Sequence, residues 1–313
     1  MLDLREQKIV VTGGTGFLGK HLVEKLKASG CKDVIVPLRE PGSWTNDLRR
    51  FEEAESVTVR ADIVFHLAAL CGGIGANQQR PADFMMHNLL MGLNLIRASS
   101  VNGVKKLVMV GTLCAFPKDT DGSIKPEHLW AGYPEPTNAP YGIAKRTLCE
   151  VGKAYHQQYG LNVVNVMPTN MFGPGDNFDP QTSHVIPAMI RRFVEARERG
   201  REAVTCWGTG SATRDFLHVS DATLGLIRAA AMLDDPEPVL LGSGEGVSMK
   251  DLAEMIADIV GYTGRIEWDA TKPDGQPVRC VDTKNQVDRL GFVPTKSLRD
   301  GIRETVAWYE GSR

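Results

Sequence analysis

A strand, a glycine-rich turn and a helix follow one another near the start of the chain, and this succession constrains the fold most. Lys8–Thr12 is rich in β-branched residues, Gly13–Gly19 has the spacing GxxGxxG, and Leu18–Ser29 is amphipathic with a helical period. Such glycines allow a tight turn, a close approach of the backbone to a pyrophosphate and close packing of helix on strand. The alternative is a glycine turn with no ligand. The pattern predicts a dinucleotide-binding unit.

Strands and helices continue to alternate as far as Met167. The predicted strands are Asp33–Leu38, Ala61–Ala69, Lys106–Val110 and Leu161–Met167, and the predicted helices between them are Asp83–Asn102 and one that starts at Pro140. Alternation of this kind is typical of an α/β protein with a doubly wound parallel sheet, the Rossmann type.

The alternation ends after Gly173. A loop to Ser183, a helix over Val185–Arg199, a strand over Ala203–Trp207 and a last helix over Leu298–Tyr309 are predicted. The length of 313 residues suggests about two domains. We expect a nucleotide-binding domain at residues 1–172, joined by a helix near 220–232, and a smaller C-terminal α/β substrate domain at residues 173–218 and 243–313.

Composition limits the class of protein. Hydrophobic residues make up 42% and charged residues 24%, with a formal net charge of −2, which is typical of a globular protein. No basic tract is present, so neither nucleic acid nor a membrane is expected as a partner. No signal peptide or apolar run of about 18 residues is recognised. Six cysteines without a CxxC pair favour reduced thiols, a cytoplasmic location and no metal site.

The end of the second predicted strand bears on the choice of cofactor. Arg39 precedes Glu40 there, and an arginine accommodates a 2′-phosphate whereas an acidic residue binds a ribose 2′-hydroxyl. NADP is therefore favoured and NAD stays possible, although Arg39 could also be a solvated charge. Asp47 is expected to open a short helix and to meet the adenine. The residues expected to contact the cofactor are Gly13, Thr15, Gly16, Phe17, Leu18, Gly19, Arg39, Asp47, Ala68, Tyr141, Lys145 and Pro168.

The sequence Pro140–Lys145 contains a candidate acid–base pair. Tyr141 and Lys145 are four residues apart, so on a helix their side chains project from one face. An ammonium favours the ionised phenol, so we expect Lys145 to lower the pKa of Tyr141 and make it a general acid/base. This spacing is also common on ordinary helix surfaces.

Further polar groups are predicted at the sheet edge where ligands bind. Leu70–Gly75 follows one strand, and Thr112 follows another; both lie at the carboxyl ends of the strands, the ligand-binding edge of an open α/β sheet. The Thr112 hydroxyl is a candidate to bind a substrate oxygen, or simply to stabilise its turn.

Taken with these motifs, the chain resembles the extended short-chain dehydrogenase/reductases, and within them the GDP-L-fucose synthase branch, which epimerises and reduces GDP-linked 4-keto-6-deoxy sugars. The further stretches that carry the resemblance are Cys71–Ile74, Pro136–Tyr141, Pro168–Asn170, Ser183–Ala188, Trp207–Gly210, Arg214–Val219 and Lys272–Gly275.

The resemblance implies residue roles. Tyr141 would protonate the sugar 4-oxygen, Lys145 would hold the nicotinamide ribose, and Thr112 would replace a catalytic serine. Cys114 and His184 would form the epimerisation pair, since a thiol and an imidazole suit proton transfer near neutral pH. From the sequence alone, Cys114 could equally be a buried small hydrophobe and His184 a helix-start residue.

The same resemblance implies a nucleotide-sugar pocket and a homodimer. Arg214 would grip the diphosphate, which suits a permanently charged guanidinium; its alternative is a local ion pair. The dimer would pair the helices Asp83–Asn102 and Tyr141–Gln158. The expected substrate-binding residues are Asn170, His184, Arg192, Trp207, Arg214, Lys272 and Asp274.

The chain departs from this branch beside Cys114. Thr112, Leu113 and Phe116 stand where the branch has serine, serine and tyrosine, and we expect these changes to surround the sugar. Two alternatives therefore stay open: a nucleotide-sugar 4- or 3,5-epimerase without net reduction, and a reductase for a different GDP-keto sugar. A non-catalytic NADP-binding sensor or scaffold is disfavoured because the Tyr141–Lys145 pair is present.

Overall fold

The computed structural model describes residues 1–39, 42–120, 122–272 and 274–313. Glu40, considered above for the ribose, and Pro273 of the predicted pocket loop lie outside the described residues. The strands are β1 (Lys8–Thr12), β2 (Asp33–Ile35), β3 (Ile63–His66), β4 (Lys106–Val110), β5 (Val163–Pro168), β6 (Asn170–Phe172), β7 (Ala203–Trp207), β8 (Thr213–His218), β9 (Val239–Leu241), β10 (Gly246–Ser248), β11 (Arg265–Asp269) and β12 (Val278–Arg279).

Helices are found at most of the predicted places, and three that were not predicted are added, one in the first half and two in the second. They are α1 (Phe17–Ala28), α2 (Phe51–Thr58), α3 (Ile74–Gln79), α4 (Pro81–Val101), α5 (Ala139–Tyr159), α6 (Val185–Glu198), α7 (Val219–Met232), α8 (Met249–Val260), α9 (Lys284–Leu290) and α10 (Leu298–Gly311). None of those in the described ranges combines the length and apolarity that crossing a bilayer requires.

A six-stranded parallel sheet confirms the predicted fold class. Its strand order is β2-β1-β3-β4-β5-β9, and every neighbouring pair is parallel. Apolar strands such as β5 are buried along their whole length, as expected when helices cover both faces. The order reverses at β1, so the crevice between the carboxyl ends of β1 and β3 is the switch point where ligands bind.

The second half of the chain forms smaller sheets around a separate apolar core. β8 pairs with β6, β10 and β12, and β7 pairs with β11. Their core is built largely from α6, α8 and α10. The division into two domains at the boundaries given above stays a prediction.

Several predicted element ends are wrong in detail. β2 stops at Ile35, three residues before the predicted end, and β3 is four residues rather than nine. Asp47 does not open a helix, because α2 begins only at Phe51. These ends are difficult to locate from apolar runs, since a run continues past the last residue that pairs in the sheet.

Candidate active site

The nucleotide loop, Gly13–Gly19, lies at the switch point between β1 and α1. Gly13 has φ of +71°, and a Cβ on it would lie 2.7 Å from the backbone nitrogen of Ala68. Only glycine therefore fits this turn against the end of β3. Thr15 and Gly16 are exposed, whereas Leu18 and Gly19 are buried.

The loop fits the phosphates of a dinucleotide. Gly16 caps α1, and the first turn of that helix, which starts at Phe17, has no acidic residue to neutralise its positive end. Ala68 lies in the loop that follows β3, and Pro168 is the last residue of β5, so both are at the same edge of the sheet. The predicted cofactor residues of this edge thus come together, although each individual contact stays a prediction.

The two residues predicted at the adenosine end contact each other. The Arg39 guanidinium lies 3.4 Å from the Asp47 carboxylate and is 53% exposed at its side chain. Asp47 is buried and also accepts two side-chain bonds and one backbone N–H bond from Arg49, which lower the pKa of its carboxyl group. The Asp47 carboxylate thus has arginine partners, and its contact with adenine stays a prediction.

Tyr141 lies in the first turn of α5, with Pro140 at the helix start as predicted. Its hydroxyl is 3.4 Å from the sulfur of Cys71, an exposed residue of the loop after β3. Buried amides hold this loop: Asn88 bonds both the N–H and the C=O of Leu70, and Asn77 donates to the carbonyl groups of the following glycines. The sulfur–phenol contact was not predictable from the sequence, which indicated only that Cys71 lies at the sheet edge.

The pKa of Tyr141 is raised in this structure, so the expectation that Lys145 lowers it is wrong. Burial, and then Cys71, raise the pKa of Tyr141 well above its ordinary value. Lys145 is buried, which lowers its own pKa, and its ammonium donates to the Val110 carbonyl at 2.9 Å. The phenol is therefore protonated near neutral pH, which is the form a proton donor needs.

The Cys114 turn, a single 3₁₀ turn at Leu113–Ala115, packs against the start of α5. A Cβ on Gly142 would clash with the carbonyl oxygen of Cys114, so the missing side chain lets the turn approach Tyr141. Cys114 is close enough to contribute to the raised pKa of that phenol. The Thr112 hydroxyl accepts a bond from the Cys114 N–H at 3.1 Å, which is the turn-stabilising role considered above.

Leu113 and Phe116 do not surround the sugar as expected. Both are buried in an apolar cluster with Met167 and Leu240. Their change from polar residues therefore acts on the packing beneath the Cys114 turn.

The sulfur of Cys114 has two partners that the sequence did not reveal. The Asn138 side chain donates to it at 3.3 Å, and a guanidinium nitrogen of Arg279 lies 3.9 Å from it. Asn138 lies just before α5, within the stretch Pro136–Tyr141 that carries the family resemblance. Arg279 is 165 residues from Cys114, and no local sequence pattern indicates that the two side chains meet.

His184 lies on the second half of the chain, at the start of α6. The loop after β3 approaches it, because a Cβ on Gly73 would lie 3.5 Å from the Ser183 carbonyl oxygen. His184 is exposed at the surface, yet the protein packed around its ring desolvates it and lowers its pKa. The imidazole is thus favoured in its neutral form.

The predicted nucleotide-sugar residues lie on neighbouring elements of the second half. Arg214 donates to the carbonyl groups of Thr213, Asp274 and Gln276, and among the described residues it forms no ion pair with a carboxylate. Asp274 accepts bonds from the N–H and hydroxyl groups of Thr209, so its carboxylate stabilises the pocket loop. Asn170 is exposed and donates to the Asp215 carbonyl.

Three more of these residues lie on or near β7, one of them with an exposed aromatic ring. Trp207 is 63% exposed, and the Lys272 ammonium lies 5.8 Å from its ring centroid. Arg192 reaches the Thr205 carbonyl on the same strand, β7. The ring offers a flat surface to which a base could stack.

Comparison with known proteins agrees with this geometry. Residues 9–242 match the NAD-dependent epimerase/dehydratase family. The chain therefore belongs to the NAD-dependent epimerase/dehydratase family. As a member of this family, which is the extended short-chain dehydrogenase/reductase group, it is an NAD(P)-dependent enzyme.

Individual relatives cover nearly all of this family member. GDP-L-fucose synthase 1 of Arabidopsis thaliana is 39% identical over 97% of this chain and 94% of the plant protein. A GDP-6-OMe-4-keto-L-xylo-heptose reductase from C. jejuni superimposes with a TM-score of 0.91, at 27% identity, over 100% and 99% of the two chains. A GDP-L-fucose synthetase from Naegleria fowleri bound to NADP has a TM-score of 0.90, at 29% identity, over 100% and 95%.

Proposed function

We propose that this protein is an NADP-dependent enzyme of the GDP-L-fucose synthase type, which epimerises a GDP-linked 4-keto-6-deoxy-hexose at carbons 3 and 5 and reduces its 4-keto group. The likeness to GDP-L-fucose synthase 1 over nearly the whole of both chains supports the substrate class. The observation that carries both activities is that Tyr141 contacts the sulfur of Cys71 and lies close enough to Cys114 for that thiol to raise its pKa.

The reduction half-reaction uses the first turn of α5. Bound NADPH supplies the hydride. Tyr141, kept protonated by its burial, donates its proton to the sugar 4-oxygen as negative charge develops there. Lys145 lies one turn further along α5 and would hold the nicotinamide ribose, and the Thr112 hydroxyl would donate its hydrogen to the sugar oxygen.

The epimerisation half-reaction uses Cys114 and His184. The 4-keto group acidifies the protons on the adjacent carbons, because the resulting carbanion is delocalised onto the oxygen. One group removes a proton and the other returns one to the opposite face of the ring. Cys114 and the neutral His184 come from different elements, and in this proposal they act from opposite faces of the sugar ring.

NADP rather than NAD is supported by two observations. Arg39 stands at the end of the second strand region with a half-exposed guanidinium, which suits a 2′-phosphate. The Naegleria fowleri synthetase that resembles this chain was solved with NADP.

Isotope incorporation tests both half-reactions at once. The purified protein is incubated with GDP-4-keto-6-deoxy-mannose in heavy water, with and without NADPH, and the sugar is analysed by mass spectrometry. We expect deuterium at carbon without NADPH and a reduced, deuterated product with it. Reduction without deuterium would contradict the roles of Cys114 and His184, and deuterium without reduction would favour an epimerase.

A reductase for a different GDP-keto sugar is the second candidate. The structural likeness to the C. jejuni heptose reductase and the altered packing at Leu113 and Phe116 favour it. A panel of GDP-4-keto hexoses and heptoses, compared by kcat/KM, distinguishes the two: a heptose preferred by tenfold or more would replace the first proposal.

We also propose a homodimer in the cytoplasm. Met86, Leu90 and Leu93 form an exposed apolar stripe on α4, with 52%, 37% and 37% exposure, and α4 packs on α5 within the chain. Burying this stripe against a second copy would remove it from water. The six free thiols favour a reducing compartment. Light scattering and cell fractionation test the two statements.

A further inference from the structure

Arg279 lies beside the other arginine of the site. It ends β12, which runs parallel to β8 with Arg279 opposite Arg214. Side chains at paired positions of parallel strands lie on the same face of a sheet. The two guanidinium groups are therefore neighbours, and the charge of Arg279 contributes to the lowered pKa of Arg214, after burial.

The charge of Arg279 is almost completely buried. The residue is 9% exposed, its Nε has no hydrogen-bond partner, and it takes part in no ion pair within the described ranges. A buried, uncompensated cation is costly. Such a group is retained more readily where negative charge forms close to it during function.

The two terminal nitrogens of Arg279 both face the Cys114 turn, which is therefore the candidate place for that negative charge. One terminal nitrogen donates to the Leu113 carbonyl at 2.6 Å, and the other lies 3.9 Å from the Cys114 sulfur. The guanidinium thus contacts both the backbone and the side chain of the Cys114 turn. Asn138 donates to the same sulfur at 3.3 Å from a different element.

We propose that Arg279 is a positioning residue for Cys114, which aims its sulfur and stabilises the thiolate that removes a proton from the substrate. This inference rests on the proposed epimerisation. In that step the C–H electron pair becomes part of an enolate, an S–H bond forms at Cys114, and Arg279 keeps all its protons. A nearby cation favours a thiolate over a thiol. The amide N–H of Asn138 favours the thiolate further by donating a hydrogen bond to it.

Alkylation of the sulfur tests the proposal without any sugar. Iodoacetamide reacts with the thiolate: an S–C bond forms and iodide leaves. The rate at Cys114 is measured at pH 7 by mass spectrometry of its peptide, and the Cys71 peptide in the same digest is an internal standard. We expect Arg279→Gln to slow Cys114 about tenfold, Arg279→Lys to restore most of the rate, and Cys71 to be unchanged.

Arg146 provides a matched control. It is also a buried arginine that donates to this segment, to the Ala115 carbonyl at 2.7 Å and to Gly132 at 2.9 Å, but it has no contact with the sulfur. Arg146→Gln should leave the alkylation rate within about twofold. If both glutamine variants slow Cys114 equally, or if neither does, the proposed role of Arg279 is wrong.

Wild-type protein gives an independent measurement if a variant does not fold. Anionic iodoacetate should be favoured over neutral iodoacetamide severalfold more at Cys114 than at Cys71, because Arg279 attracts the carboxylate; equal ratios would overturn the proposal. Deuterium uptake by the sugar distinguishes a failure of the proposed function from a failure of the role proposed for Arg279. Failure of uptake with the expected alkylation pattern would remove the proposed substrate, whereas normal uptake in Arg279→Gln would remove the role of Arg279.

Discussion

The nucleotide loop and the Cys114 turn lie at the same edge of the sheet, but they are built in different ways. In the nucleotide loop the bonds are local: the Gly16 N–H donates to the Gly13 carbonyl and the Lys20 N–H to the Gly16 carbonyl. The Cys114 turn is instead held by Asn138, Arg146 and Arg279, which are 24, 31 and 165 residues away in the chain. One region depends on backbone shape and the other on side chains brought from a distance.

Because of this difference, we expect substitutions in the two regions to have different consequences. Altering a glycine of the loop strains the backbone at that position, whereas altering Asn138 or Arg279 changes the hydrogen bonds and charge at the sulfur of Cys114. We therefore expect changes in the loop to affect cofactor binding and stability, and changes at Asn138 or Arg279 to affect proton transfer at Cys114 while the fold remains intact.

The largest effect is expected from Tyr141→Phe, which removes the hydroxyl between the two regions. Reduction of the keto sugar should fall at least about 100-fold, because no proton donor remains for the 4-oxygen. NADPH binding, followed by fluorescence titration, should change little. Tyr155→Phe on the same helix, where the ring packs on Tyr159, is the control. A Tyr141→Phe protein with nearly full turnover would exclude Tyr141 as the acid.

Gly13→Ala should break the nucleotide loop. A side chain there combines φ of +71° with a contact at 2.7 Å to the Ala68 backbone, so we expect about 1–3 kcal/mol of strain and at least tenfold weaker NADPH binding. Gly103→Ala is matched, since Gly103 has φ of +66° with no atom within 4 Å of its Cβ position. Titration and thermal unfolding compare the two. Equal NADPH affinity in both variants would show that the loop does not cradle the cofactor.

The same contrast explains what the sequence could predict. The loop, the sheet and the Tyr141 helix follow from short-range rules: glycine conformations, β-branched runs and a proline at a helix start. The lowered pKa expected for Tyr141 required knowing where the Lys145 ammonium points, and it points to the Val110 carbonyl. The positions of Cys71 and Arg279 depend on the packing of separate loops, which no local pattern encodes.

Cys71→Ala should shift the pH dependence of reduction. Cys71 is among the groups that raise the pKa of Tyr141, so its removal lowers that pKa. The protonated donor is then lost at lower pH, and the alkaline limb of kcat should move toward neutrality. At pH 7 the rate should change by less than about tenfold, the worth of one hydrogen bond. Cys71→Ser, which retains a partner for the phenol, should lie between wild type and Cys71→Ala; an alkaline limb that does not move in Cys71→Ala contradicts the contact.

The last effect is on stability rather than on catalysis, and it concerns the segment that connects the two halves of the chain. There His21 of α1 contacts the Pro174 carbonyl, Phe178 stacks on Tyr309, and burial raises the pKa of Asp176 to about 7. Between about pH 4 and 7 the folded protein therefore holds a proton that the unfolded chain has lost, and stability falls as the pH rises through this range.

Asp176→Asn removes that titration, because an amide stays neutral. The stability of the variant relative to wild type should rise between pH 5 and pH 8, by an amount on the order of 2 kcal/mol or several degrees in the unfolding midpoint. Asp179→Asn is the control: Asp179 is exposed, and hydrogen bonds to its neighbours lower its pKa, so this variant should gain nothing at pH 8. If Asp176→Asn and wild type keep the same difference in midpoint at both pH values, Asp176 is ionised in the folded protein. The connecting segment would then carry a buried charge.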